Sequence, residues 1–160
     1  MPKHKTYTVE EAKRKLERFC AYQDRCHQEA VEQLRQMRMI PEAIDVIVVH
    51  LINENFLDEE RFARSFARGK FRIKKWGKKR IILELRRKGI HKNLIEKALT
   101  EIDDVAYYQT FETLAKKRFN QLTAEKKIQA KRKKFADYLL YRGWPSTWVY
   151  DKAKELIPYK

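Results

Sequence analysis

The sequence predicts an all-α protein, three tandem three-helix repeats forming an elongated, curved molecule. Three observations predict it. Apolar residues recur at helical spacing along nearly the whole chain. Four glycines and four prolines in 160 residues leave little material for the many turns of an all-β fold. Three joints of similar make-up recur at intervals near fifty residues. The 37% share of charged residues suits long helices with solvated faces, and the 43% apolar share suffices for a core.

The elements follow in order. Thr8-Val-Glu-Glu11 has the form of a capping box, and Val9, Ala12, Leu16, Phe19 and Cys20 continue it at helical spacing. A short second helix is expected from about His27 to Met37, burying Val31 and Leu34. Pro41 fits a first helical position, and Ile44, Ile47, Val48, Leu51 and Ile52 make the apolar face of the third helix. Asp58 then caps a fourth, with Phe62, Phe66 and Ile73 as its buried stripe, and Trp76-Gly77 breaks it. Ile81, Ile82 and Leu85 carry the fifth, which Gly89 stops, and Leu94, Ile95, Ala98 and Leu99 carry the sixth. After Asp103-Asp104, Val105, Tyr108, Phe111 and Leu114 lead to a turn near Leu122-Thr123. Ile128, Phe135 and Leu139 line a basic helix that stops at Gly143. Pro145 opens the last helix, with Trp148, Val149, Ala153 and Leu156 inside.

The repeat is visible in the joints. They read Met37-Arg38-Met39-Ile40-Pro41, Arg87-Lys88-Gly89-Ile90-His91 and Tyr141-Arg142-Gly143-Trp144-Pro145. Setting Met39 against Gly89 and Gly143 gives separations of 50 and 54 positions. Residues 1–56, 57–102 and 103–160 are therefore expected to form the three units, each stacked on its neighbour.

Charge is distributed unevenly along this repeat. The net charge is +15, from 37 Lys and Arg against 22 Asp and Glu. Residues 1–63 carry a net −2, residues 64–92 a net +12, residues 93–113 a net −4 and residues 114–142 a net +8. Two basic blocks of this size favour a polyanionic partner, because phosphate contacts release counterions. Arg64, Arg68 and Arg72 recur every four residues along one helix face, followed by Lys74, Lys75, Lys78, Lys79 and Arg80 around the joint and then Arg86, Arg87 and Lys88. With Glu84 as the one acid among thirteen bases, this block repels itself, which makes sense if a polyanion sits on it. Lys131, Arg132 and Lys134, with Lys126, Lys127 and Lys133 around them, and Arg142 form the second candidate surface. Asp58, Arg61 and Phe62 read instead as an N-cap, a capping or surface pair and a core anchor. Trp76, Tyr138, Tyr141 and Trp144 could stack bases, but each sits beside a helix joint and reads as packing.

The segment Asn53-Glu-Asn-Phe-Leu-Asp-Glu-Glu-Arg-Phe-Ala63 resembles a run found in the RecX family, with Asn55-Phe56 where that family usually has Gly-Tyr. The likeness continues through Trp76-Gly77, Arg80-Ile81, Glu84-Leu85 and Lys88-Gly89-Ile90, and again in Leu139-Leu-Tyr-Arg-Gly-Trp144, so that it covers about residues 8 to 157. It implies a regulatory protein that binds in the groove of a RecA recombinase filament on single-stranded DNA. Such a protein modulates, mainly by inhibition, filament growth, ATPase, strand exchange and coprotease activity in DNA repair and recombination. It implies no catalytic residue. The alternative is a stand-alone helical nucleic-acid-binding module, and a third reading is a scaffold for a purely protein partner.

Other chemistry finds no support. No Walker-type loop, paired-carboxylate motif or nucleophile motif occurs, so neither an ATPase nor a nuclease is expected, and no cofactor. His4, His27, His50 and His91 are scattered, and Cys20, Cys26 and His27 lack a fourth ligand at zinc spacing. The two cysteines are expected as free thiols. The polar start Met-Pro-Lys-His-Lys-Thr resembles no signal peptide, and the apolar stretch Val46–Val49 is far too short to span a bilayer. A cytoplasmic monomer with no membrane contact is expected.

Overall fold

The computed structural model describes residues 5–159, among which there are nine helices and no strand. They are α1 (Val9–Tyr22), α2 (His27–Gln36), α3 (Pro41–Asn53), α4 (Glu59–Arg72), α5 (Lys78–Arg87), α6 (Lys92–Leu99), α7 (Asp104–Gln121), α8 (Ile128–Tyr141) and α9 (Ser146–Leu156). The expected start signals act as read. Thr8 Oγ1 accepts from the Glu11 amide at 3.1 Å while Glu11 Oε1 accepts from the Thr8 amide at 3.2 Å. Asp58 accepts from the Arg61 amide at 3.0 Å; Asp103, not singled out as a cap, does the same for the Ala106 amide at 2.9 Å.

The joints repeat, but one residue away from the alignment expected at the first of them. The residue in the left-handed region is Arg38, with φ 62°, not Met39; its counterparts are Gly89 at 78° and Gly143 at 90°. In each joint the next amide donates back to a carbonyl five residues earlier: Met39 to Leu34, Ile90 to Leu85 and Trp144 to Leu139. The following residues, Ile40, His91 and Pro145, are the N-caps of α3, α6 and α9. So the first joint stops its helix in the same way as the others, with an arginine tolerating a backbone that favours glycine. Asn55 has φ 61°, in line with asparagine's tolerance of this region, and stands where the RecX-like run usually carries glycine.

Helix packing falls inside consecutive triplets. In the first, α1 packs on α2 and α3, and α2 on α3; in the second, α4 packs on α5 and α6, and α5 on α6; in the third, α8 packs on both α7 and α9. Lys152 on α9 adds a buried link to α7, its Nζ 2.7 Å from Glu112 Oε1. The apolar core divides differently. Ala12, Leu16, Ala30, Leu34, Ile47 and Leu51 belong to one cluster made by the first triplet together with Leu57, which follows α3. The second and third triplets share another, running from Phe62 to Ile157, and Cys26 of the first triplet inserts into it. The accessible surface is 10539 Å², against about 8,500 Å² for a compact monomer of 19.4 kDa, as an elongated stack of repeats requires.

Several apolar residues expected inside are outside. Ile73, 79% exposed, lies just beyond the end of α4, so it cannot continue that helix's stripe; Phe71 takes the buried place. Ile52 is exposed because the inner face of α3 is filled by Ile44, Ile47 and Leu51. Val105 and Tyr108 are exposed because α7 turns Tyr107 inward instead. Val9 and Ile128 are also exposed, at the first residues of their helices, where packing neighbours are fewest.

Candidate functional site

The first basic block is built on a close backbone approach between the α4–α5 joint and the end of α8. The Gly77 amide donates to Arg142 O at 2.7 Å and the Lys79 amide to Gly143 O at 3.2 Å. Trp144 Nε1 donates to Lys75 O at 3.1 Å, and the Lys78 amide donates to the Tyr107 hydroxyl at 2.8 Å. These bonds satisfy donors that the start of α5 would otherwise leave without partners. Glycine is required on both sides: a Cβ on Gly77 would lie 2.3 Å from Gly143 O, and one on Gly143 would lie 2.3 Å from the Arg80 amide nitrogen. Burial pushes the Tyr107 hydroxyl up to about 12, offset in part by its bond from the Lys78 amide, so the hydroxyl stays protonated.

The electrostatics at this joint run against local helix preference. The first turn of α5 carries Lys78, Lys79 and Arg80 and no acid. The positive end of a helix dipole disfavours cations there. The carbonyl end of α8, pointing at the same turn, and Asp104, 3.6 Å from Lys78 Nζ, supply the opposing charge. Cations held at a cost to the helix are the local departure that makes this joint the candidate surface.

The candidate cations divide into tied and untied. Arg64 and Arg68 lie 3.1 and 3.3 Å from Glu101 Oε1, binding α4 to the end of α6. Their bonds, that of Arg64 foremost, hold the Glu101 carboxyl below the ordinary glutamate range. Lys78 pairs with Asp104 at 3.6 Å, Arg87 with Glu84 at 3.0 Å and Lys88 with Glu29 at 3.9 Å. Arg80 lies between two rings, 4.2 Å from the Trp76 centroid and 4.5 Å from that of Tyr141. Arg72, Lys74, Lys75, Lys79 and Arg86 are exposed and have no ion pair among the described residues. The second block is more fully engaged: Lys131 lies over Phe119, Arg132 over Tyr159, Arg142 over Tyr138, and Lys134 pairs with Glu125 at 2.8 Å. Lys131–Lys134 lie two to three turns of α8 before Arg142, about 12–16 Å away along the axis, so they are not part of the joint.

Some structural roles were hidden from sequence. Arg61 is more than a capping partner: its guanidinium reaches Asp24 at 3.0 Å and the carbonyls of Asn55 and Phe56 at 3.2 and 3.3 Å, tying the first triplet to the second. With Glu29–Lys88 and the His27 amide donating to Glu59 at 3.3 Å, it makes this seam polar. A groove of about 460 Å³ opens there, floored by Phe62, Phe66 and Trp76. Lys152 is buried on an inner-face position of α9, paired with Glu112 and Glu155. Its position between Val149 and Leu156 was the available signal.

The remaining singled-out residues have structural places. Trp144 is fully buried, its ring stacked on Tyr107 at 4.6 Å between centroids. Trp76 and Tyr138 are half-buried, whereas Tyr141 is exposed. Cys20 and Cys26 are free and buried, and burial pushes both thiols up to about 11. His50 lies 2.8 Å from Glu17, His27 lies 3.4 Å from Glu59, and His91 caps α6; His4 lies outside the described residues. No group of three or more His, Cys, Asp or Glu that could hold a metal ion occurs among the described residues, and no helix among them is long and apolar enough to cross a membrane.

Residues 58–99, which hold α4 to α6 and the first basic block, match the model of the second three-helix domain of RecX. The regulatory protein RecX of Serratia proteamaculans (strain 568) is 34% identical over 105 residues, 65% of this chain and 60% of that protein. That of Prosthecochloris aestuarii (strain DSM 271 / SK 413) is 29% identical over 139 residues, 87% of this chain and 89% of that protein. The crystal structure of RecX from Lactobacillus salivarius superposes with a TM-score of 0.75 at 26% identity, over 92% of this chain and 96% of that one. The chain spans between about a third and three fifths of the length of the first curated relatives it matches. A family signature over the second triplet, a likeness extending over nearly the whole chain and the same helical architecture all agree: the chain is similar to the RecX regulatory proteins in sequence and in fold.

Proposed function

We propose that this protein binds the RecA recombinase filament on single-stranded DNA and modulates it, mainly by inhibition. Filament growth, ATP hydrolysis, strand exchange and coprotease activity are the processes affected. The units 1–56, 57–102 and 103–160 would act together as a soluble, non-catalytic cytoplasmic monomer, with single-stranded DNA met directly or through the filament. The observation that carries this reading is the α4–α5 joint. Arg72, Lys74, Lys75 and Lys79 are exposed there without ion pairs among the described residues, on a backbone fixed against Arg142 and Gly143. Repulsion among them is relieved by an anionic surface, whether acidic protein or DNA phosphate.

The test is ATP hydrolysis by RecA filaments on single-stranded DNA with increasing amounts of this protein. Turnover is expected to fall as protein is added. Unchanged turnover at excess protein contradicts the proposal.

A further inference from the structure

The four aromatic residues beside the basic joints do not behave alike. Trp144 is buried in the core and Trp76 and Tyr138 are half-buried, but Tyr141 is 71% exposed. It ends α8, immediately before the Arg142 and Gly143 carbonyls that accept from Gly77 and Lys79. Its ring is therefore carried to the rim of the joint that displays the untied cations.

Tyr141 is also backed. The Arg80 guanidinium lies 4.5 Å from its ring centroid and 4.2 Å from that of Trp76, and donates to Tyr141 O at 3.4 Å. Trp76 in turn meets Phe66 at 6.2 Å, and Lys70 lies over both rings. The result is a row of contacts, with Phe66 edge-on to Trp76 and Arg80 between Trp76 and Tyr141, running outward from the edge of the core to solvent. Packing does not explain its last layer, because an aromatic ring left this exposed contributes little to burial. A row ending in an open ring beside untied cations is what an unpaired nucleobase needs: a flat π-face for the base and cations for its flanking phosphates.

We propose that Tyr141, held in place by Arg80, is a stacking site for one unpaired base of a single-stranded nucleic acid. Lys75, Lys79 and Arg142 hold the neighbouring phosphates. The proposal rests on the reading of the basic joint as a nucleic-acid-facing surface, and it makes the protein a direct reader of single strands, not only of the protein coat around them. A base already stacked in a duplex offers no free face, so single strands are preferred over duplex.

The test uses the full chain without RecA, so its outcome is independent of whether the protein acts on the filament. The probes are a fluorescein-labelled oligothymidine and an abasic phosphodiester of equal length, which has the same charge and no bases. Binding is followed by anisotropy for the parent, Tyr141→Ala and Tyr141→Phe. Tyr141→Ala is expected to weaken oligothymidine binding on the order of tenfold and to leave the abasic strand unaffected, while Tyr141→Phe, which keeps the π-face, binds oligothymidine like the parent. The proposal is overturned if Tyr141→Ala binds oligothymidine as the parent does, if it loses equally on the abasic strand, or if the parent binds oligothymidine no better than the abasic strand.

Discussion

Gly143 carries two demands at once. Its φ of 90° favours glycine, and its missing side chain lets the end of α8 approach Arg80. Gly89 has the first property without the second, since a Cβ there meets nothing within 4 Å. The two glycines read alike in sequence, as helix stops, and should respond differently to the same change. Gly89→Ala is expected to cost about 1 kcal/mol, from backbone strain alone. Gly143→Ala is expected to cost more, about 3 kcal/mol or above, because backbone must move to remove a 2.3 Å contact. Urea unfolding of the two variants measures the gap, and equal losses contradict the close approach. The stop itself was legible at both positions. The approach was not, because nothing in the spacing of Gly77 and Gly143 says that residues 66 apart share a contact. The first joint was set one residue off because alignment on residue type puts Arg38 against Lys88 and Arg142 and Ile40 against Ile90 and Trp144, whereas the left-handed backbone is here held by the arginine itself.

Between helices, carboxylates do much of the tying. Glu101 joins the end of α6 to Arg64 and Arg68 on α4, Glu17 joins α1 to His50 on α3, and Glu112 joins α7 to Lys152 on α9. Hydrogen bonds from these partners hold all three carboxyls below the ordinary glutamate range, against the upward push of burial. The unfolded chain therefore binds protons at higher pH than the folded one. Stability is fully present above the unfolded value, about pH 4.3, and declines as pH falls from there through the lowered folded values. The thermal midpoint should drop steeply below about pH 5. Glu101→Gln should lower the midpoint at neutral pH, and its deficit relative to the parent should shrink on acidification. A deficit that persists unchanged at low pH contradicts the account. Element by element, the helices themselves were legible from caps and apolar spacing, down to α2 starting at His27. Their faces were less so. Tyr108 and Tyr107 are adjacent, and a rotation of one residue along α7 decides which enters the core; the buried place goes to Tyr107, which stacks on Trp144 from elsewhere in the chain, while Trp148 meets both rings. The tie from Arg64 and Arg68 was hidden for the same reason, since their partner Glu101 lies 33 residues beyond Arg68.

At the scale of the whole molecule, three repeats in sequence become two apolar cores in space. The second and third triplets fuse through Trp144, Tyr107 and the Gly77–Gly143 approach, while the first is joined across a polar seam by Arg61 and Cys26. The basic joint thus stands on the fused part, where its geometry is fixed before any partner arrives. That preorganisation is what a surface matched to a repetitive filament would require. The charge itself was fully legible in sequence; which cations are free of partners was not, because ion pairs such as Lys88–Glu29 and Lys78–Asp104 link distant residues. The untied cations of this joint are proposed to act on the recombinase. That action is tested most directly by the triple variant Arg72→Glu, Lys75→Glu, Lys79→Glu in the RecA ATP-hydrolysis assay, with helical circular dichroism and the thermal midpoint as controls on folding. The three side chains are exposed, so the fold is expected to persist. About tenfold or more variant than parent is expected to be needed for the same suppression of hydrolysis. A folded variant that suppresses hydrolysis at the parent's concentrations would contradict it.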